Sequence, residues 1–199
     1  MSADGLRASV EKMEREGVPD AAINTFRHYY QQLAEGESGL LPESEIDPVT
    51  DVADAEQLPD TDAPLDQAVV IKLNGGLGTS MGMDRAKSLL EVKDGLSFLD
   101  IIARQVLALR AESGARVPLV LMNSFATRDD SLAQLARYAE LASDVPPDFV
   151  QHKEPKLLVD GLTPAEWPED TALEWCPPGH GDIYTALLTS SIPDVSSAV

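Results

Sequence analysis

Residues 69–88 read Val69-Val70-Ile71-Lys72-Leu73-Asn74-Gly75-Gly76-Leu77-Gly78-Thr79-Ser80-Met81-Gly82-Met83-Asp84-Arg85-Ala86-Lys87-Ser88. The first five residues form a short, largely β-branched apolar run of the kind that makes a buried strand. Gly75, Gly76, Gly78 and Gly82 follow at once, where side chains would obstruct a close ligand. A strand that empties into bare backbone presents successive N–H groups as an anion-binding concavity. Lys87, just beyond the loop, adds mobile positive charge suited to a polyphosphate.

Two familiar phosphate loops do not fit. A Walker A loop needs Gly, four residues and then Gly-Lys-Ser/Thr, whereas Lys87-Ser88 follows Ala86 with no glycine pair correctly placed. A dinucleotide fingerprint needs Gly-x-Gly-x-x-Gly opening a helix, and after Gly76-Leu77-Gly78 the next glycine, Gly82, comes one residue late. A long glycine loop after the first strand, with a lysine near its far end, is the arrangement a nucleotidyltransferase places around a nucleoside triphosphate.

Beyond the loop an α/β rhythm begins. An apolar run at 89–92 precedes a helix that Ser97 caps, with Leu99, Ile102, Val106 and Leu109 on one face and Gly114 at its end. A second buried-type strand spans 117–122, and Asn123-Ser124-Phe125-Ala126 lies at its carboxyl end. Thr127 with Asp130 matches a capping box for a further helix whose apolar positions are Leu132, Leu135 and Leu141. Phe149-Val150 suits a third short strand. Strand, crossover helix and strand imply a β-α-β unit in an open parallel sheet, and such sheets bind ligands outside the carboxyl ends of their strands.

Upstream, Leu6, Val10 and Met13 recur at helical spacing, and after Gly17 a second pattern runs through Ile23, Phe26, Tyr30 and Leu33. This predicts a helical hairpin whose aromatic stripe, Phe26, Tyr29 and Tyr30, serves packing. Residues 35–66 shift to Gly, Pro, Asp and Glu with scattered aliphatics, which predicts a connector over the surface. The expected organisation is a helical extension (1–34), an acidic connector (35–66), a partial nucleotide-binding α/β domain (67–190) and an irregular tail (191–199).

The 199 residues are 43% hydrophobic, and the mean hydropathy of −0.13 is ordinary for a folded, non-membrane protein. A chain of this size can bury roughly 70% of the surface it exposes when unfolded. A formal charge of −19 and a pI near 4.3 argue against a nucleic-acid or anionic-membrane surface, so a phosphate ligand must be captured by local potential. Lys72, Arg85, Lys87 and Lys93 cluster in sequence where that is needed, or are ordinary surface charges. The start lacks an apolar signal region and no stretch approaches a membrane span, so a cytoplasmic location is expected. The lone Cys176 excludes an internal disulfide and a cysteine-based zinc cage.

Three ordered segments resemble one family. Residues 73–82, with Lys87-Ser88 beyond, are similar to the signature loop of the UTP-glucose-1-phosphate uridylyltransferases, also called UDP-glucose pyrophosphorylases. Related N-acetylhexosamine pyrophosphorylases carry Ala in place of Asn74 and an Arg near the loop's end, so the loop here favours the glucose enzymes. Phe149-Val150-Gln151-His152-Lys153-Glu154-Pro155-Lys156-Leu157 resembles the family's Gln-containing strand-loop. Trp175-Cys176-Pro177-Pro178-Gly179-His180-Gly181-Asp182-Ile183-Tyr184 resembles its Pro-Gly-His-Gly turn. The likeness covers residues 65–190. Where the family has Gly-Pro before the lysine, this chain has Arg85-Ala86, which changes the tether of Lys87. Family members run longer, with a later Asn-x-Asp strand end, a second lysine and sugar-contacting residues. The expected fold is therefore an open Rossmann-like nucleotidyltransferase sheet, preceded by a helical hairpin and cut before the rest of the catalytic domain and a C-terminal β-helix.

The resemblance implies that UTP, carrying Mg2+, and glucose 1-phosphate give UDP-glucose and pyrophosphate. It implies backbone contacts to the nucleotide from Leu73, Asn74, Gly75 and Gly76, with Lys87 as the catalytic cation on the phosphates. It makes Gln151 the uracil reader, Gly179 a close backbone neighbour of base or ribose, and His180 the sugar-phosphate contact. The residues alone leave Gln151 a second role, capping loop backbone at a strand end. Asp182 is expected as a helix N-cap rather than a metal ligand. No metal ligand is assigned in this chain, and the carboxylate for magnesium is expected in the missing part. Two other functions stay open: a nucleotide-binding module without chemistry, and a pyrophosphorylase for another sugar 1-phosphate.

Overall fold

The apolar runs become a parallel sheet whose strand ends lie side by side. In the structure, a computed structural model describing residues 2–59 and 64–192, β1 (Val70–Asn74) pairs with β4 (Leu119–Asn123), and β4 pairs with β5 (Asp148–Val150). Both pairings are parallel, and Asn74, Asn123 and Val150 stand in register at the carboxyl edge. Between β1 and β4 the chain makes a small antiparallel hairpin, β2 (Glu91–Lys93) and β3 (Leu96–Ser97), before helix α3 (Phe98–Ser113). The hairpin turns at Asp94-Gly95, both at positive φ. Asp-Gly is the usual dipeptide for such a turn.

Continuous apolar strands need cover on both faces, and both are covered. On one face Val70, Leu119 and Leu121 pack with Leu99, Ala103 and Val106 of α3 and Leu135 of α4 (Arg128–Leu135). On the other, Ile71, Leu73, Val120, Met122 and Phe149 pack with Ala186 of α5 (Ile183–Thr189). Leu99, Leu121 and Met122 are fully enclosed, each contributing about 1.5–3 kcal/mol by burial. Ser97 caps α3 as expected, in a reciprocal capping box with Asp100, and Gly114 ends the helix. Burial alone would raise the Asp100 carboxyl, but hydrogen bonds from Ser97, Tyr138 and Gln134 outweigh it and hold it well below the usual range.

The helical hairpin is present as α1 (Ser2–Arg15) and α2 (Asp20–Ala34), with Val10, Met13, Ile23, Phe26 and Tyr30 buried around Trp175. It clasps a second small antiparallel sheet, β6 (Glu154–Pro155) with β7 (Trp175–Cys176). Lys12 pairs with Glu174, Lys153 pairs with Glu16, and the two lysine ammoniums lie 5.4 and 4.8 Å from the Trp175 ring centroid.

Three expectations need correction. Tyr29 does not join the aromatic core: it is 61% exposed, because it points away from the α1 face that takes Phe26 and Tyr30. Helix α4 stops at Leu135 rather than reaching Leu141: the bonds tighten to Arg137 N–H on the Gln134 carbonyl (3.3 Å) and Tyr138 N–H on the Leu135 carbonyl (2.9 Å), and Ala139–Leu141 forms a separate turn whose Glu140 and Leu141 carbonyls accept from Arg110 (2.7 and 3.1 Å). Thr127 occupies the N-cap position of α4 without capping it, for a reason given below. Connector residues 35–59 are exposed throughout; 60–63, and tail residues 193–199, lie outside the described residues. No helix among the described residues is long and apolar enough to cross a membrane.

Candidate functional site

The glycine loop leaves the end of β1 and returns on itself. The N–H of Lys87 donates to the carbonyl of Gly76 (3.0 Å) and that of Gly78 to Arg85 (3.0 Å), so the loop's two limbs are tied together. Gly78 lies against Met83, whose side chain would collide with any β-carbon there. Within the loop, the N–H groups of Gly75, Gly76 and Leu77 find no acceptor among the described residues. They are the donors left over for an anion.

Asn74 anchors this loop. Its amide donates to Asn123 Oδ1 (2.7 Å) and Ser131 Oγ (2.7 Å), and its oxygen accepts from the Ser88 hydroxyl (2.6 Å). The side chain is 4% exposed and thereby joins the residue before the loop to the one after Lys87. Thr127 supports it from beneath. Its hydroxyl donates to the Asn74 carbonyl (2.7 Å) and accepts from the Ser124 N–H (3.0 Å), which is why it leaves α4 uncapped. Leu73 stays in the sheet: its side chain packs in the core and its carbonyl accepts from the Lys72 ammonium.

Of the four cations clustered in sequence, Lys87 stands on the loop. Its side chain is exposed, its δ-carbon passes 3.9 Å from the β-carbon position of Gly76, and no carboxylate among the described residues pairs with it. Lys72 is turned along β1, where burial holds its ammonium below the usual range. Arg85 lies 3.8 Å from Asp84, and Lys93 sits on the exposed hairpin.

Gln151 is the first residue after β5, two strands from β1, a distance of about 10 Å at the usual strand spacing. Its backbone N–H donates to the Asn123 carbonyl (2.8 Å), and its side chain reaches across the end of β4 to Gly75. The amide nitrogen rests 1.8 Å from where a β-carbon on Gly75 would be. Gln151 is 4% exposed, yet its Oε1 has no hydrogen-bond partner, the one buried side-chain polar atom so placed among the described residues. An orphaned buried acceptor costs about 1–3 kcal/mol, and a donor brought to it would recover that cost. The capping alternative for Gln151 is not met: its Oε1 takes no loop N–H.

The Pro-Pro-Gly-His-Gly turn is brought to the same strand-end loop by two residues whose connection the sequence did not announce. Asp182 stands at the N-cap of α5, but its carboxylate does not cap; it accepts from the His152 N–H (2.7 Å) and the His152 ring Nδ1 (2.9 Å). Gly179 adopts φ 108°, open to glycine, and its carbonyl accepts from the Asp182 N–H (3.2 Å). His180 is exposed at the head of this turn. A cavity of 390 Å³ lies between the turn and α2, lined in part by Tyr29, Thr25, Pro178, Glu154 and Asp182. Burial, and then the nearby Asp182 carboxylate, push the Glu154 carboxyl above its usual range. The structure thus links Lys87 to Gly76, Gly75 to Gln151, and Gln151 through His152 and Asp182 to Gly179.

Known proteins carry the same organisation. The family model for UTP-glucose-1-phosphate uridylyltransferase matches residues 23–195. The potato (Solanum tuberosum) enzyme of that name is 44% identical over 137 residues, 68% of this chain and 28% of its own length. The barley (Hordeum vulgare) enzyme is 35% identical over 197 residues, 94% of this chain and 41% of its own. A mutant UDP-glucose pyrophosphorylase from Leishmania major, solved in complex with UDP-glucose, superposes with a TM-score of 0.84 at 44% identity, covering 92% of this chain and 39% of that one. The chain therefore spans well under half the length of these relatives. The matched span of 23–195 contains the glycine loop, the strand-end glutamine and the Pro-Gly-His-Gly turn, and the chain belongs to the UTP-glucose-1-phosphate uridylyltransferase family.

Proposed function

We propose that this chain is the UTP-holding portion of a uridylyltransferase that forms UDP-glucose and pyrophosphate from UTP and glucose 1-phosphate. The observation that carries the proposal is the orphaned Oε1 of Gln151 beside a glycine loop with free N–H groups and an unpaired lysine. With its amide nitrogen against Gly75, Gln151 offers an acceptor to the N3–H of uracil. Cytosine has a second acceptor at that place, so the pocket discriminates by hydrogen-bond polarity.

In the reaction, a phosphate oxygen of glucose 1-phosphate forms a bond to the α-phosphorus of UTP while the bond to the bridging oxygen breaks and pyrophosphate leaves. The nucleophile is already an anion, so no general base is required. The protein's task is alignment of two polyanions and stabilisation of the charge that develops on phosphate oxygens. The N–H groups of Gly75 and Gly76 and the Lys87 ammonium would meet the triphosphate; His180, exposed on its rigid turn, would meet the sugar phosphate. Leu73 and Asn74 hold the loop in place. The described residues contain no cluster of three or more His, Cys, Asp or Glu able to hold a metal. Mg2+ commonly binds through phosphate oxygens and water with one or two carboxylates, and it is proposed to arrive on the triphosphate. A cytoplasmic setting suits the nucleotide substrate.

The chain's span of 28–41% of its relatives favours a second reading, nucleotide capture without turnover by this portion alone. Calorimetry with Mg2+ tests the common core of both. UTP should bind and CTP should bind about tenfold more weakly or worse; equal binding of the two removes Gln151 from its role, and UDP-glucose formation separates turnover from capture.

A further inference from the structure

We propose that Asp182 is a positioning residue for nucleotide capture, acting through His152 to lock the segment carrying Gln151 onto the turn carrying Gly179 and His180. The inference rests on the uridylyltransferase reading for its functional consequence and on the following geometry for its existence.

An aspartate at a helix N-cap ordinarily accepts from the first-turn N–H groups of its own helix. Asp182 forgoes that bond. Its two carboxylate oxygens instead take two donors from a single residue, the backbone N–H of His152 (2.7 Å) and the ring Nδ1 (2.9 Å). One anion therefore fixes both the backbone and the ring of His152. The side chains of His152 and Asp182 are 9% and 5% exposed, so water competes little, and hydrogen bonds to a charged acceptor are roughly twice as strong as neutral ones.

His152 follows Gln151 directly. With the Gln151 N–H held by the Asn123 carbonyl (2.8 Å) and the His152 N–H held by Asp182, the peptide groups on both sides of the Gln151 α-carbon are anchored. The side-chain amide is then pre-aimed, which reduces the ordering needed when a base arrives. The same aspartate donates its own N–H to the Gly179 carbonyl, and the far ring nitrogen of His152 meets Thr189 Oγ1 (3.0 Å) at the last residue of α5. His152 thus bridges the N-cap of α5 and its last residue, and Asp182 ties the Gly179–His180 turn to the segment carrying Gln151.

Asp182→Asn and Asp182→Ala, prepared in the 199-residue chain, test this by ring-nitrogen NMR of His152 and by UTP calorimetry. In the parent the ring should be protonated at Nδ1. In Asp182→Asn the oxygen can still accept the His152 N–H, but an NH2 group now faces the ring, so the tautomer should invert to Nε2–H, donating to Thr189, with UTP affinity within about threefold of the parent. Asp182→Ala should lose hydrogen-exchange protection at the His152 amide and about tenfold or more in UTP affinity. An Asp182→Ala chain that binds UTP as the parent does, or a His152 ring unchanged by Asp182→Asn, overturns the proposal. The tautomer result stands even where the alanine variant fails to fold. A parent chain that binds no UTP sinks the nucleotide reading as well, and the ring spectrum then reports on the clamp alone.

Discussion

The side-chain amide of Gln151 occupies the space a β-carbon on Gly75 would take, with its nitrogen 1.8 Å from that position. The first residue after β1 and the first after β5 are thereby in contact across the end of β4. Gly75 lies outside the left-handed region, so what it supplies is space rather than an unusual backbone angle.

Gly75→Ala should therefore leave the fold standing and displace Gln151. Overpacking of this kind costs about 1–3 kcal/mol. The variant should unfold cooperatively at a slightly lower temperature and lose its preference for UTP over CTP, read by calorimetry beside thermal denaturation. Unchanged selectivity would separate the glutamine from base recognition.

Asn74→Ala should act mainly on the loop's anchorage. It strips partners from the buried groups of Asn123, Ser131 and Ser88, at a cost of about 2–3 kcal/mol in urea denaturation. UTP binding should weaken in parallel, because the Asn74 side chain, buried among Asn123, Ser131 and Ser88, holds the loop in place.

Lys87→Ala separates binding from stability in the opposite sense. The side chain is exposed and unpaired, so the melting temperature should hardly move. UTP affinity should fall by about 2 kcal/mol, with a smaller loss for uridine, which has no phosphates to bind.

Glu154→Gln should give a pH-dependent gain. Burial and the neighbouring Asp182 raise the folded-state pKa of Glu154 above its unfolded value near 4.3, so its ionised form opposes folding. Above the raised pKa the variant should melt at a higher temperature than the parent. As pH falls through that value the parent's carboxyl takes up its proton, and below about 4 the advantage should vanish. Thermal melts from pH 4 to 8 check both the sign and the window.

Much of this was legible in the sequence because it obeys local rules. The apolar runs at 69–73 and 117–122 fall within a residue or two of β1 and β4, and Ser97 and Gly114 bound α3 as their types dictate. The β2–β3 hairpin went unread, because its strands are only three and two residues long and show no alternation, although Asp94-Gly95 carries the turn signal. What escaped were contacts between distant residues that override a local preference. Thr127 has the spacing of a helix cap, but the Asn74 carbonyl, 53 positions earlier, claims its hydroxyl. Asp182 sits at an N-cap position, but a half-buried histidine 30 positions earlier offers it two donors. Tyr29 shares a helix with Phe26 and Tyr30, but only tertiary packing decides which aromatic faces Trp175.

The account stands on the unpartnered Oε1 of Gln151 being completed by uracil. Titrating uridine 5′-monophosphate into the 15N-labelled chain, with the cytidine nucleotide as control, tests that contact directly. The account predicts saturable shifts of the Gln151 side-chain amide and the Gly75 backbone amide with the uridine nucleotide and much smaller ones with the cytidine nucleotide. Shifts confined to other residues, or equal for both nucleotides, would contradict it.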